Sequence, residues 1–207
     1  MAAAIGLSAS LPGATLPSMK KHTPTYLKHQ FLIAMPHMSD PNFAQTLTYI
    51  VEHNANGAMG LVVNRPQELS LADILEQLRP DEEPPLGTSH VPIYLGGPVQ
   101  TDRGFVLHSP ECSYQATVEL PGLSLTTSQD VLFAIAAGTG PQRSLITLGY
   151  AGWEAGQLEE ELADNAWLNC TFDPEILFAT PSELRREVAA TSLGVTLSLL
   201  TNQAGHA

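Results

Sequence analysis

The fold is decided by the stretch LITLGYAGWEAGQLEEELADNAWL, residues 145–168. Its first four residues are apolar and β-prone, which predicts a strand that ends at Gly149. Glycines recur at positions 152 and 156, where a sharply turning chain needs unrestricted φ. Beyond position 156 apolar side chains recur every three or four residues, which predicts an amphipathic helix. The stretch therefore predicts strand, turn and helix, with the rest of the chain supplying the sheet that receives them.

The glycine turn and the acidic face of this helix are each a candidate binding site. The glycine spacing matches neither the dinucleotide-binding nor the P-loop pattern, and Glu154 would repel an anion, so a structural turn is favoured. The acidic face is predicted to be exposed to solvent, in preference to a cation site or a surface for a basic partner. Carboxylate pairs without histidine or further oxygen ligands rarely hold a metal. That face consists of Glu159, Glu160, Glu161 and Asp164.

Composition predicts one acidic domain without a membrane span. The chain has 207 residues, 43% of them hydrophobic, and no apolar run approaches the roughly 20 residues that cross a bilayer. All three lysines precede Gln30, and beyond it six arginines oppose 21 acidic residues, a net charge of −15. Nucleic-acid binding needs a basic patch, so it is not expected. Cys112 and Cys170 lack C-x-x-C spacing, which indicates reduced cytoplasmic thiols, and no metal or cofactor is predicted.

The N-terminal residues 1–25 are predicted to be a disordered extension, and 26–207 the folded domain. A secretory signal is not expected, because positive charge is missing from the start and the apolar run is short. Met19 precedes a lysine-rich segment, and we hypothesise that translation begins there. Intact-mass measurement of the native protein, showing Met1 or Ala2 at its start, would refute that hypothesis.

The remaining patterns predict an α/β (α+β) domain of mixed β-sheets with flanking helices. Asn56-Gly57 is a strong turn signal and joins two alternating runs into a β-hairpin. Ser70 and Asp73 form a capping box at the start of a helix. Ser128 is expected to cap a helix over 129–137, and Thr180 to open a second capping box. Further strands are predicted at Phe31–Met35, Val91–Leu95, Gly104–His108, Tyr114–Leu120 and Leu123–Thr126.

Polar residues at strand ends are the candidates for a ligand pocket. Each has a structural alternative, since Asn and His near turns commonly satisfy backbone groups, and Arg103 beside Asp102 is typical of a surface ion pair. No set of acid, base and nucleophile is identifiable, so no catalytic residue is predicted. The candidates are His53, Asn54, Asn64, Arg103, His108 and Asp130.

Four blocks of the sequence resemble the signature blocks of the bacterial AlgH/YqgE family, in the family's order. They are FLIAMPHMSDPNFAQTLTYIVEHNANGAMGLVVNRP (31–66), YLGGPVQTDRGFVLH (94–108), LTTSQDVLFAIAAGTGP (125–141) and LGYAGWEAGQLEEELADNAWL (148–168). The resemblance implies a single α/β domain in a cytoplasmic bacterial protein. Family members are associated with regulation of alginate synthesis and are often described as transcriptional regulators. The resemblance transfers no catalytic residue.

Three functions remain open from the sequence. The leading hypothesis is a non-catalytic binding or regulatory domain that acts through an unknown protein partner. The alternative is a small-molecule binder or enzyme whose pocket collects the six candidates from separate strands. Transcriptional regulation ranks third, and the net charge predicts that it is indirect and not by DNA binding.

Overall fold

The computed structural model describes residues 26–200. The disordered extension predicted at 1–25 and the start hypothesised at Met19 lie outside the described residues, as do positions 201–207. Among residues 26–200 no helix is long and apolar enough to cross a membrane.

The described part of the chain contains ten strands and six helices. The strands are β1 Gln30–Ala34, β2 Leu47–Asn54, β3 Gly57–Val62, β4 Pro66–Ser70, β5 Pro92–Leu95, β6 Val99–His108, β7 Thr117–Leu120, β8 Leu123–Thr126, β9 Ser144–Trp153 and β10 Trp167–Thr171. The helices are α1 Leu71–Leu78, α2 Asp130–Ala136, α3 Gln157–Ala163, α4 Pro174–Phe178, α5 Ser182–Ser192 and α6 Leu197–Leu200, with a 3₁₀ turn at Thr88–His90.

The strands form one curled sheet in the order β10-β1-β2-β3-β9-β6-β8-β7, with β5 on the side of β9 and β4 paired to β5. Neighbouring strands run antiparallel except β5 and β9, which are parallel. The predicted α+β class, with mixed pairing and flanking helices, is confirmed.

Strand β9 joins the two halves of this sheet. Its first half, Leu145–Leu148, pairs with β5 and β6, and its second half pairs with β3 as far as Trp153. The prediction that the strand ends at Gly149 is therefore wrong. Gly149 has φ +73°, and a Cβ there would lie 2.4 Å from the carbonyl oxygen of Gly97. Glycine is required here for close backbone approach, not for a turn.

Apolar side chains pack in three clusters, and β9 contributes to each of them. The inner core lies inside the curl and contains Phe31, Tyr49, Phe105, Leu145 and Cys170, with helices α4, α5 and α6 closing it. The helix-pair layer covers one part of the outer face with Leu71, Leu75, Ile93, Val106, Val131, Leu132 and Ile146. The tryptophan layer covers the other part with Leu32, Ile50, Ala151, Trp153, Leu158 and Trp167. Both faces of the sheet are thus covered by helices.

Of the three helix caps predicted from the sequence, one is confirmed and two are wrong. The capping box of Ser70 and Asp73 is present at α1. The predicted cap by Ser128 is wrong, because its hydroxyl accepts from the Ala116 amide and donates to Asp130. The capping box predicted from Thr180 is also wrong, because the residue that precedes α5 is Pro181, which makes no side-chain hydrogen bond.

The acidic face of α3 was expected to be solvated, and two of its residues instead hold the fold together. One carboxylate oxygen of Glu161 accepts from the indole N–H of Trp153 at 2.9 Å and of Trp167 at 2.7 Å. Glu159 reaches the Nε2 of His53 at 3.2 Å. The expectation fails for these two because helical spacing alone does not show which side chains from outside the helix lie beside it.

Candidate functional site

A cleft of about 370 Å³ opens on the outer face of the sheet between α1 and α2. Its floor is the surface of β6 and β9, where Val106, Ile146 and Leu148 point outward. Its apolar walls are formed by Leu69, Ile74, Leu78 and Leu132. We call this the helix-pair cleft. It is a part of the outer sheet face that α1 and α2 leave uncovered, although the strands beneath it are paired.

The capping box fixes α1 at one wall of the helix-pair cleft. The Asp73 carboxylate accepts from the backbone amide of Ser70 at 2.7 Å and from its hydroxyl at 2.6 Å. These hydrogen bonds, the one from the hydroxyl first, lower the pKa of Asp73. Helical spacing then buries Leu71 and Leu75 against the sheet and leaves Ile74 half-buried on the cleft side.

A second carboxylate fixes the start of α2. Asp130 accepts from the backbone amide of Gln115 at 2.9 Å and from the hydroxyl of Ser128. Burial opposes ionisation, but these hydrogen bonds outweigh it, so the pKa of Asp130 lies below its ordinary value. At the other end of the pair the guanidinium of Arg79 lies 4.0 Å from the ring centre of Phe133. This contact joins the end of α1 to α2 beside the helix-pair cleft.

The rim of the helix-pair cleft is polar and carries little charge. Asp102 is the one ionisable side chain among the described residues that line it. The other polar lining residues are Gln77, Thr101, Thr126, Thr127, Ser128 and Gln129. An apolar floor with a few hydrogen-bonding groups at the edge is suited to holding an apolar group. A reaction that needs an acid and a base has no such pair in this lining.

Gly104 lines the floor of the helix-pair cleft and keeps it open. A Cβ at this position would meet no atom within 4 Å, so any side chain placed there would extend into empty space. The residue lies in β6 without a left-handed φ, so substitution introduces no backbone strain.

Two of the six predicted ligand residues, His53 and Asn54, lie at the far end of the β2–β3 hairpin. His53 is buried, and its Nδ1 accepts from the Leu27 amide at 2.9 Å while Nε2 contacts Glu159. The amide oxygen of Asn54 accepts from the Asn56 backbone at 2.8 Å inside the turn. These side chains satisfy backbone groups, which is the structural alternative stated for them.

Asn64 and Arg103, two more of the predicted ligand residues, lie apart from this hairpin and from each other. Asn64 accepts from the Leu47 amide at 2.8 Å and donates to the Gln45 carbonyl at 3.0 Å, at the edge of a different cleft. Arg103 is exposed, with its guanidinium 5.1 Å from the Phe105 ring centre. The surface pair expected between Arg103 and Asp102 is not formed, because Arg103 donates instead to Gln100 at 3.4 Å.

His108 and Asp130 are brought to the same end of the sheet by separate hydrogen bonds. His108 is buried, with Nε2 2.9 Å from the hydroxyl of Thr126 and Nδ1 2.8 Å from the Ser109 carbonyl. Its ring packs edge-to-face on that of Tyr114. The next residue, Gln115, donates its backbone N–H to the carboxylate of Asp130. His108 pairs with Ser144 at the start of β9, whereas the hairpin of His53 pairs near its end, roughly 30 Å along the strand. The structure therefore does not gather the six candidates at one place, and ligand binding by any of them stays a prediction.

Sequence reasoning missed the helix-pair cleft, because its lining comes from four separated segments. The available signal was the continuous apolar run of β9, which shows that both sheet faces are covered. How completely two short helices cover a face depends on their separation, which no local pattern encodes. Among residues 26–200 no group of three His, Cys, Asp or Glu side chains is placed to hold a metal ion.

Comparison with known proteins gives a consistent assignment. The sequence profile described as AlgH-like matches residues 31–198. A UPF0301 protein of Pseudomonas putida strain W619 is 83% identical over 189 residues, which are 91% of this chain and 100% of the relative. A UPF0301 protein of Pseudomonas entomophila strain L48 is 80% identical over the same shares.

Two solved structures share the fold. The solution structure of the AlgH protein from Pseudomonas aeruginosa matches with a TM-score of 0.75 and 70% identity, covering 91% of this chain and 100% of that one. A crystal structure of a protein from Corynebacterium diphtheriae matches with a TM-score of 0.64 at 18% identity, covering 88% and 94%. At that identity the second match shows the fold alone.

Proposed function

The chain belongs to the AlgH-like family, and from that premise we propose that it is a cytoplasmic, non-catalytic binding protein that acts through a protein partner at the helix-pair cleft. The observation that carries the proposal is the apolar floor of the cleft, left uncovered between two helices that are fixed in place. Burial of apolar surface is the main favourable term in protein association.

The lining sets the chemistry of the partner. An apolar side chain of the partner would bury against Val106, Ile146 and Leu148. The hydroxyls and amides of the rim would hydrogen-bond the partner's backbone, and the single carboxylate, Asp102, favours a partner that presents a donor or a positive charge there. A neutral or basic partner also suits the net charge of −12.

A small apolar molecule is the second candidate occupant. The cleft volume of about 370 Å³ falls within the roughly 300–1,000 Å³ typical of small-molecule sites. The fixed positions of α1 and α2 also suit a site that exists before its ligand arrives.

Any role in gene regulation is proposed to be indirect. The described residues contain 21 acidic side chains against one lysine and six arginines, so phosphate backbones are repelled. A sequence-specific, salt-dependent gel shift with the purified protein would contradict this part of the proposal.

Affinity capture from native lysate with matched variants tests the proposal. Gly104→Leu fills the helix-pair cleft, whereas Gly152→Leu adds the same side chain at an exposed position of β9, where the new Cβ meets only ordinary contacts from 3.5 Å. We expect a protein to be captured by the wild type and by Gly152→Leu but not by Gly104→Leu. Metabolites are read out from the same samples, and one that follows this pattern in place of a protein would support the second candidate. Equal capture by all three proteins would contradict both.

A further inference from the structure

Three arginines lie near the ends of β1 and β3, where helix α5 packs on the sheet. Arg65 follows β3, and Arg185 and Arg186 lie in the first turns of α5. Two of them, Arg65 and Arg186, line a polar cleft of about 500 Å³ together with Ala44, Gln45, Asn64, Glu183 and Glu187. We call this the arginine cleft. It lies away from the helix-pair cleft and shares no lining residue with it.

Backbone carbonyls hold both guanidiniums of the arginine cleft in fixed orientations. Arg65 donates to the carbonyls of Asn42 at 2.8 Å and Ala44 at 2.6 Å. Arg186 donates through Nε and one terminal nitrogen to the carbonyl of Ala34, at 3.1 and 2.7 Å. A guanidinium has five N–H donors, so each side chain keeps three that these bonds do not use. The forks are thus ordered before any ligand binds.

The guanidiniums of the arginine cleft feel nearby carboxylates, Asp40 beside Arg65 and Glu187 beside Arg186, but make no direct ion pair with them. In the part of the chain that the structure describes, neither Arg65 nor Arg186 forms an ion pair, although acidic residues outnumber basic ones threefold. Both are half-buried, and burial lowers the pKa of each guanidinium by more than the nearby carboxylate raises it, so their positive charge keeps a desolvation cost. An anion between them would offset that cost.

The two glutamates of the arginine cleft limit the charge of this anion. Glu183 and Glu187 lie four residues apart on α5 and are exposed, so they oppose a doubly charged phosphate more strongly than a singly charged group. A carboxylate is planar and matches a guanidinium fork with two parallel hydrogen bonds. We propose that the arginine cleft binds a carboxylate, carried by a small molecule or by the C-terminus of a polypeptide.

Nuclear magnetic resonance titration of the full-length protein tests this site. Acetate should shift the backbone amide signals of Arg65 and Arg186 saturably, and acetamide, which has the same shape without the charge, should not. A short peptide with a free C-terminus, compared with acetate, distinguishes the two sources of the carboxylate. The amidated form of the peptide is the control without that carboxylate. Tighter binding of the free peptide than of acetate assigns a polypeptide terminus, and equal binding assigns a small molecule.

Variants connect the shifts to the two forks. Arg65→Gln and Arg186→Gln should each weaken acetate binding about tenfold or more, because a charged donor is lost. Arg186→Lys keeps the charge without the fork and should lie in between, which also guards against loss by unfolding. The control is Arg103→Gln, whose guanidinium is exposed outside the cleft and which should bind acetate as the wild type does. Equal effects of acetate and acetamide, tighter binding of inorganic phosphate, or equal affinities across the variants would overturn the assignment.

Discussion

The two halves of β9 present the same kind of apolar surface to short covering helices, and the outcomes differ. At the second half, α3 seals the outer face in the tryptophan layer, where Trp153 and Trp167 are almost fully buried. At the first half, α1 and α2 leave the helix-pair cleft open above Ile146 and Leu148. One strand therefore supports both a closed end and an open end of the outer face.

The difference comes from which polar groups orient the covering helices. At the closed end, Glu161 is drawn inward by two indole N–H groups, so α3 sits directly on the aromatic rings. At the open end, Asp73 and Asp130 accept hydrogen bonds from the backbone amides of Ser70 and Gln115, around the starts of α1 and α2. A polar contact beneath α3 draws that helix onto the sheet, whereas contacts at the starts of α1 and α2 leave the helix-pair cleft open.

The largest expected effect compares one substitution at both ends. Leu158→Ala in α3 should lower the free energy of unfolding by about 3–4 kcal/mol, since the site is fully enclosed and leaves a cavity. Leu132→Ala in α2 should cost only about 2 kcal/mol, because its neighbour is already an open cleft. Urea denaturation measures both. Equal losses would show that the two layers are packed alike and would break the comparison.

The next effect isolates the carboxylate of the closed end. Glu161→Ala removes the acceptor of two buried indole N–H groups and should cost about 2 kcal/mol. Glu160→Ala changes the same residue type on the exposed side of α3 and should stay within about 0.5 kcal/mol. Denaturation followed by tryptophan fluorescence reports both stability and ring environment. Similar losses at the two positions would mean that helix content alone matters.

A smaller effect concerns the inner face of β10, behind the closed end. Burial raises the pKa of the Cys170 thiol from 9.0 to about 11, so the folded protein keeps this proton where the unfolded chain loses it. Stability should therefore fall as pH rises from 9 towards 11. Tyr49, whose pKa burial also raises, adds to the fall above pH 10. Measured under reducing conditions, Cys170→Ala should show a shallower decline than the wild type, and identical slopes would contradict this account.

The smallest effect lies at the open end. Gly104→Leu and Gly152→Leu should both gain from the loss of glycine flexibility in the unfolded chain. Gly104→Leu should exceed its control by about 0.5 kcal/mol, because its side chain covers the floor of the helix-pair cleft. Thermal and urea unfolding measure the difference. A lower stability for Gly104→Leu than for Gly152→Leu would mean that the cleft cannot accept an apolar group.

Local signals predicted most of the fold and little of the site. The turn at Asn56-Gly57 and the capping box at Ser70 are decided within a few residues, and both are confirmed. Gly149 was misassigned because a glycine needed for backbone contact has the same signature as a glycine needed for a turn. Strand β10 was missed, since its pairing with β1 depends on residues more than 130 positions away.

The site depended on spacing between elements, which a single sequence does not reveal. Gln77 and Thr127 are isolated polar residues in the sequence, and no local pattern marks them as part of a site. They line the helix-pair cleft together only because of how α1 and α2 lie on the sheet. In the sequence Arg65 and Arg186 contribute only to the net charge, and their shared cleft follows from the position of α5 over β1 and β2. Charge counts give the total and not the local arrangement.

The late position of β9 has a consequence for biosynthesis. Because each of the three apolar clusters includes a side chain from residues 144–153, none of them is complete while the ribosome is still making the first two thirds of the chain. Nascent chains should remain open to chaperones until β9 has left the exit tunnel, and a stalled or truncated product should be degraded without ever acquiring a protease-resistant core.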